Sequence, residues 1–80
     1  MRAAGPTLRQ LACFSALAET RSFRRAAERI GVSQPSFSAQ IKALEDALSL
    51  ALVERRSSGA ELTPVGRDVL SRAQAVLDAA

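Results

Sequence analysis

The polar groups that could do chemistry in this 80-residue chain gather around one stretch, G-V-S-Q-P-S-F-S-A-Q-I-K-A-L-E-D-A-L, from Gly31 to Leu48. Phe37, Ile41, Leu44 and Leu48 recur at spacings of four, three and four, which predicts a helix with one buried face. Pro35, Ser38, Ala39 and Lys42 then share the opposite side. A surface so slim, carrying one hydroxyl, one methyl and one cation, suits a DNA groove better than a protein interface. The N-terminal end of this helix, where backbone N–H groups are free, is where phosphates or base edges would be met. Catalysis finds no candidates. The chain has no histidine, no glycine-rich phosphate loop, and no serine or cysteine beside a plausible base. The acidic pair Glu45-Asp46 and the Glu54-Arg55 pair fit solubility, helix ends or salt bridges better than acid–base work.

Other elements must hold that helix. Gly5-Pro6 closes a short leader from Met1, and Thr7 caps a first helix with Leu8, Leu11, Phe14, Leu17 and Ala18 along one side. Cys13 lies beside that stripe and reads as a small core residue. Ser22 caps a short second helix, Phe23 to Ile30, turning Phe23, Ala26, Ala27 and Ile30 inward and leaving Arg24, Arg25 and Arg29 for phosphates. Its two alanines allow the close crossing that a helix-turn-helix needs. Gly31 supplies the turn. Ser33 and Gln34 share the next cap, with Pro35 as first helical residue.

Beyond Ser49 the chain changes character. The apolar run Leu50 to Val53, the polar stretch Arg55 to Glu61 with Ser57-Ser58-Gly59 at its tip, and the return at Leu62-Thr63 read as a small β-hairpin. Thr63-Pro64 opens a last helix, where Leu62, Val69, Ala73, Val76 and Ala80 form a heptad-like seam flanked by Leu70 and Leu77. The pattern is unbroken at Ala80, so this helix is expected to continue in a longer parent protein.

Bulk properties narrow the class. Eleven basic against eight acidic residues give a net charge of +3. Met1 to Leu44 holds seven basic and two acidic residues, a local +5, whereas Glu45 to Ala80 holds four and six, a local −2. Positive charge thus surrounds the slim helix, as phosphate contact requires. One cysteine and no histidine offer neither a disulfide framework nor a zinc site, and no cofactor is expected. No segment reaches membrane-spanning length, so a soluble, cytoplasmic chain is the expectation.

The fold class expected is mainly α: a winged helix-turn-helix of three helices plus a hairpin wing over residues 1–62, then a linker and dimerisation helix over 63–80. The wording of the sequence goes further. L-R-Q-L at Leu8, S-F-R-R-A-A-E-R at Ser22, V-S-Q-P-S-F-S at Val32, Q-I-K-A-L-E at Gln40 and L-T-P-V-G at Leu62 resemble the N-terminal DNA-binding domain of LysR-type transcriptional regulators. F-R-R-A-A followed by S-A-Q-I is most similar to their peroxide-sensing branch. The resemblance implies a homodimer joined along the final helix through Leu62, Val69, Leu70, Ala73, Val76 and Leu77, and a tetramer in the full-length protein. Each recognition helix would enter a major groove of a palindromic operator, with each wing at the adjoining minor groove. Carried over by position, Gln34, Pro35, Ser36 and Ser38 sit at bases or flanking phosphates, and Ser33, Gln40 and Lys42 at the backbone. Arg24, Arg25, Arg55 and Arg56 add affinity. A Gln34 amide can pair bidentately with adenine, discriminating by about 1–3 kcal/mol.

The sequence departs from the family pattern at four positions. Ala39 stands where many relatives have arginine, leaving a thymine methyl as its natural partner. Ser58 replaces a minor-groove arginine and Glu61 stands near a usual basic position, with Arg56 two residues away as the available substitute. Ser49 occupies the place of a helix-ending glycine. The alternative reading is a winged helix that contacts protein only, through Pro35, Ser38 and Ala39.

Overall fold

The computed structural model describes residues 5–80, so the first four residues of the expected leader lie outside it. Helix α1 (Leu8–Thr20) starts with a reciprocal cap: the Thr7 hydroxyl accepts from the Gln10 N–H and the Gln10 side chain accepts from the Thr7 N–H. It stops at Arg21, whose backbone is left-handed at φ 55° and whose N–H returns to the Leu17 carbonyl. Helix α2 (Phe23–Ile30) is capped by the Ser22 hydroxyl, which accepts from the Arg25 N–H. It ends on Gly31 at φ 87°. Helix α3 (Gln34–Leu48) leads to an antiparallel hairpin of β1 (Val53–Arg56) and β2 (Gly59–Leu62), and α4 (Pro64–Ala79) completes the chain.

These elements exist because their apolar faces meet. Phe14 and Leu17 of α1, Phe23, Ala26 and Ala27 of α2, and Phe37, Ile41 and Leu44 of α3 form one core. Among the described residues no polar or charged side chain is buried in it. Each large side chain so placed stabilises by about 1.5–3 kcal/mol relative to exposure. The Phe23 ring stands edge-on to Phe37, 6.0 Å apart at 84°, while the two alanines bring α2 close. Cys13 is fully buried. Burial pushes its thiol up and outweighs the opposing pull of Arg9, which disfavours the thiolate a redox sensor needs.

The hairpin is tied down at its base. The Glu45 carboxylate on α3 accepts from the N–H groups of Leu52 and Val53 at 2.8 and 3.3 Å. Thr63 donates its hydroxyl to the Ala51 carbonyl at 2.7 Å, and the same oxygen accepts from the Gly66 N–H as the cap of α4. Near the tip, the Arg21 carbonyl accepts from the Ala60 N–H at 3.0 Å, so the end of α1 touches the wing. A Cβ on Gly59 would lie 2.5 Å from that carbonyl, and φ 126° already favours glycine there. Helix α4 lies against α1, where the Gln74 amide donates to the Ser15 hydroxyl at 2.8 Å.

Several details differ from the sequence reading. Gln34 is the first helical residue and Pro35 the second; the cap belongs to Ser33 alone, because its hydroxyl reaches the Ser36 N–H. The apolar run Leu50–Ala51–Leu52 precedes β1 rather than forming it: the Leu52 side chain is buried in the core, its N–H is taken by Glu45, and strand pairing begins at Val53. Leu62 is the last residue of β2, opposite Val53, so it is no part of the helical seam. On α1 the expected stripe holds at Leu11, Phe14 and Leu17, but Leu8 at the helix start stays 52% exposed and Ala16 joins the buried face. Ser49 ends α3 at φ 55° without glycine; its N–H and that of Leu50 return to the Asp46 and Glu45 carbonyls.

Gly66 is the glycine with the least room for a side chain. A Cβ there would lie 2.2 Å from the Leu52 carbonyl oxygen, although a helical Gly→Ala change ordinarily stabilises. Gly66→Ala is expected to cost about 1–3 kcal/mol, read as a lower Tm by circular dichroism. An unchanged or raised Tm would show that α4 can back away from the hairpin base at little cost.

Candidate nucleic-acid interface

Helix α3 is two-sided. Phe37, Ile41 and Leu44 are buried, while Gln34, Pro35, Ser36, Ala39 and Lys42 are exposed and Ser38 and Gln40 half-buried. The outer side therefore carries Pro35, Ser38, Ala39 and Lys42, with Gln34 exposed at the N-terminal end, on a rigid element anchored by its inner side. Its N-terminus offers less than expected. Ser36 N–H goes to the Ser33 hydroxyl and Phe37 N–H to the Ser33 carbonyl, while Pro35 has no N–H to offer. Among the described residues, only the Gln34 N–H in this turn is left for an outside acceptor.

The arginines divide by partner. Arg24 pairs with Glu28 one turn on, at 3.2 Å, and Lys42 pairs likewise with Asp46 at 3.2 Å. Arg29 pairs with Glu19 across the α1–α2 corner. Arg25 is exposed and takes part in no salt bridge among the described residues. All these pairs are open to water, so each contributes little to stability and can be exchanged for a phosphate.

Arg55 is different. Its guanidinium carbon lies 3.8 Å from the centroid of the Phe23 ring, and its Nη2 donates to the Ser38 hydroxyl at 3.2 Å. One side chain thus joins the hairpin, α2 and the outer edge of α3. Strand alternation sends Arg55 to that face and sends Glu54 and Arg56 to the other, so Glu54 pairs with Arg56 and not with Arg55. Arg56 also reaches Glu61 across the hairpin at 3.2 Å. Between the N-terminal ends of α2 and α3 and the wing runs an open polar groove, lined by Arg24, Arg25, Gln34, Arg55 and Arg56 among others.

The bridging role of Phe23 and the carboxylates around Arg56 escaped the sequence reading. Phe23 carried only a core signal. The signal for Glu61 was the hairpin register, which sets it directly opposite Glu54. Of the proposed seam, Ala73 is buried within the chain, and Leu62, Val69 and Leu70 pack against its core. Val76 is 46% exposed and Leu77 half-buried.

The comparisons with known proteins agree with this architecture. Residues 8–67 match the family model described as bacterial regulatory helix-turn-helix protein, lysR family. The chain is 44% identical over 72 residues to a probable hydrogen peroxide-inducible genes activator of Streptomyces viridosporus, covering 90% of this chain and 23% of that protein. It superposes on the oxidised form of OxyR from Corynebacterium glutamicum with a TM-score of 0.92 at 39% identity, covering 99% of this chain and 24% of that one. The DNA-binding domain of CbnR, solved in complex with DNA, gives a TM-score of 0.86 at 42% identity over 90% of this chain and 83% of that one. The chain spans between 20% and 39% of the length of the curated relatives it matches.

Arg55→Lys keeps the charge but loses the planar stack and the fork geometry. It is expected to lower stability by about 0.5–2 kcal/mol in urea unfolding and to speed amide exchange in the hairpin. Unchanged stability and exchange would show that Arg55 does not hold the wing to α3.

Proposed function

Because this chain belongs to the LysR family of bacterial regulatory helix-turn-helix proteins, we propose that it binds double-stranded DNA sequence-specifically, as a homodimer on a palindromic operator. The observation that carries this reading is the two-sidedness of α3: an anchored inner face and a narrow outer face of short side chains, bordered by a groove rich in arginine. In this reading α3 lies in a major groove and the hairpin stands at the adjoining minor groove. Gln34 reads a base edge, with adenine its best bidentate partner, while Pro35, Ser36, Ser38 and Ala39 line the groove floor. Ala39 offers only a methyl, favouring contact with thymine.

Ser33, Gln40 and Lys42 face the sugar–phosphate backbone, and Arg24, Arg25, Arg55 and Arg56 supply the remaining positive charge. Residues 1–62 form the reader and 63–80 the linker helix. Two such helices pair along α4, where the exposed Val76 and the half-buried Leu77 offer apolar surface, while Leu62, Val69, Leu70 and Ala73 of the expected seam are engaged within the chain. The parent protein, a cytoplasmic regulator in this reading, assembles further to a tetramer. The domain binds and positions; no residue on it is assigned a catalytic task.

A random-sequence selection supplies the cognate duplex for the test. Gln34→Ala is expected to weaken that duplex by about 1–3 kcal/mol, roughly 5- to 150-fold, while an unrelated duplex is bound as before. Equal loss on both would remove Gln34 as a base reader. No binding to any duplex at low salt would favour a protein-contact module.

A further inference from the structure

Strand β1 places Glu54 and Arg56 on one face, and the register Glu54↔Glu61 puts two carboxylates directly opposite each other on the two strands. Like charges in that relation destabilise a hairpin. Arg56 lies between them: its Nη2 is 2.6 Å from Glu54 Oε1 and its Nε 3.2 Å from Glu61 Oε1. The guanidinium is therefore bound at two edges by the hairpin's own acids. With one cation and two anions the cluster carries a net −1, and the turn residues Ser57 and Ser58 add no charge. The cluster therefore offers an approaching phosphate no net positive charge.

Resting on the DNA-binding reading above, we propose that Glu54 and Glu61 set the affinity of the wing for DNA by holding Arg56 in reserve, so that this arginine is a latent rather than a standing phosphate contact. The cluster is open enough to exchange partners, since the side chains of Arg56, Glu54 and Glu61 are 53, 55 and 52% exposed. A phosphate gains Arg56 only by displacing both carboxylates and lying close to them afterwards. Arg55, on the other face of the strand against Phe23 and Ser38, takes no part in this cluster. Sequence-independent affinity is thereby kept down at the wing, and base reading by α3 weighs more in the choice of site.

The test is a fluorescence-anisotropy titration of the wild-type chain and the E54Q/E61Q variant on a selected and a scrambled duplex, across a series of salt concentrations. Replacing both acids takes the cluster from −1 to +1 without removing its hydrogen-bonding groups. The expected result is roughly 3- to 30-fold tighter binding to both duplexes, a salt slope steeper by about one unit, and a smaller ratio between the duplexes. In an Arg56→Ala background the same pair of changes is expected to leave the slope where it was. Glu61→Gln alone, with thermal melts on all variants, separates loss of fold from loss of the clasp, and about half of the tightening is expected of it. Wild-type binding with no change in affinity or slope in E54Q/E61Q would overturn the clasp and leave the DNA-binding reading standing. Failure of every variant to bind any duplex would overturn both.

Discussion

Burial of Phe37, Ile41 and Leu44 against α1 and α2 fixes how α3 is rotated, and with it which of its side chains can meet anything outside the chain. A helix turns 100° per residue, so once these three face inward, Pro35, Ala39 and Lys42 have no inward option, while Gln34, one turn before Phe37 on the same side, is exposed because it stands at the N-terminal end of the helix. Phe23 strengthens the constraint by standing edge-on to Phe37 from α2. A polar substitution in this trio would lose several kcal/mol of burial and also release the rotation of the outer face. Stability and recognition therefore rest on the same packing.

The wing is held to that helix by polar contacts, in contrast to the apolar core. Glu45 fixes the start of the hairpin through two backbone N–H groups, Arg21 meets its second strand through a carbonyl, and Arg55 spans from β1 to Phe23 and Ser38. The hairpin buries little of its own, so a two-stranded ribbon of this size needs these ties to keep its place. Charge follows the same economy. Most basic side chains near α3 have an acidic neighbour at the surface, which limits indiscriminate attraction to nucleic acid and leaves Arg25 as the most available cation.

Much of this was legible in the chain because helix signals are local. Ser22 and Thr63 cap the helices their positions predict, and the four-three-four spacing in α3 marks its buried face. What was hidden depends on contacts between distant residues. Arg55 reads as one more surface cation until strand alternation turns it toward Phe23, 32 positions earlier in the chain. Gly66 reads as a weak helix residue until α4 is laid on the Leu52 carbonyl. The heptad-like seam of α4 mixed two demands, because Val69, Leu70 and Ala73 pack within the chain while Val76 stays exposed, and periodicity alone cannot say which neighbour an apolar face meets. Cap sharing at Ser33-Gln34 was misjudged for a subtler reason: the pre-proline restriction on Gln34 is a preference, and the Ser33 hydroxyl bond to Ser36 outweighs it.

The claim on which the account turns is that the outer face of α3 is what touches DNA. Backbone amide shifts of the 15N-labelled chain, followed by NMR during titration with an AT-rich palindromic duplex whose half-sites lie about one turn apart, test it most directly. The account predicts that the largest shifts fall on Gln34 and from Ser36 to Lys42, with smaller ones in the hairpin and at Arg24 and Arg25. Shifts concentrated instead on the exposed faces of α1 and α4, or none at all at low salt, would contradict it.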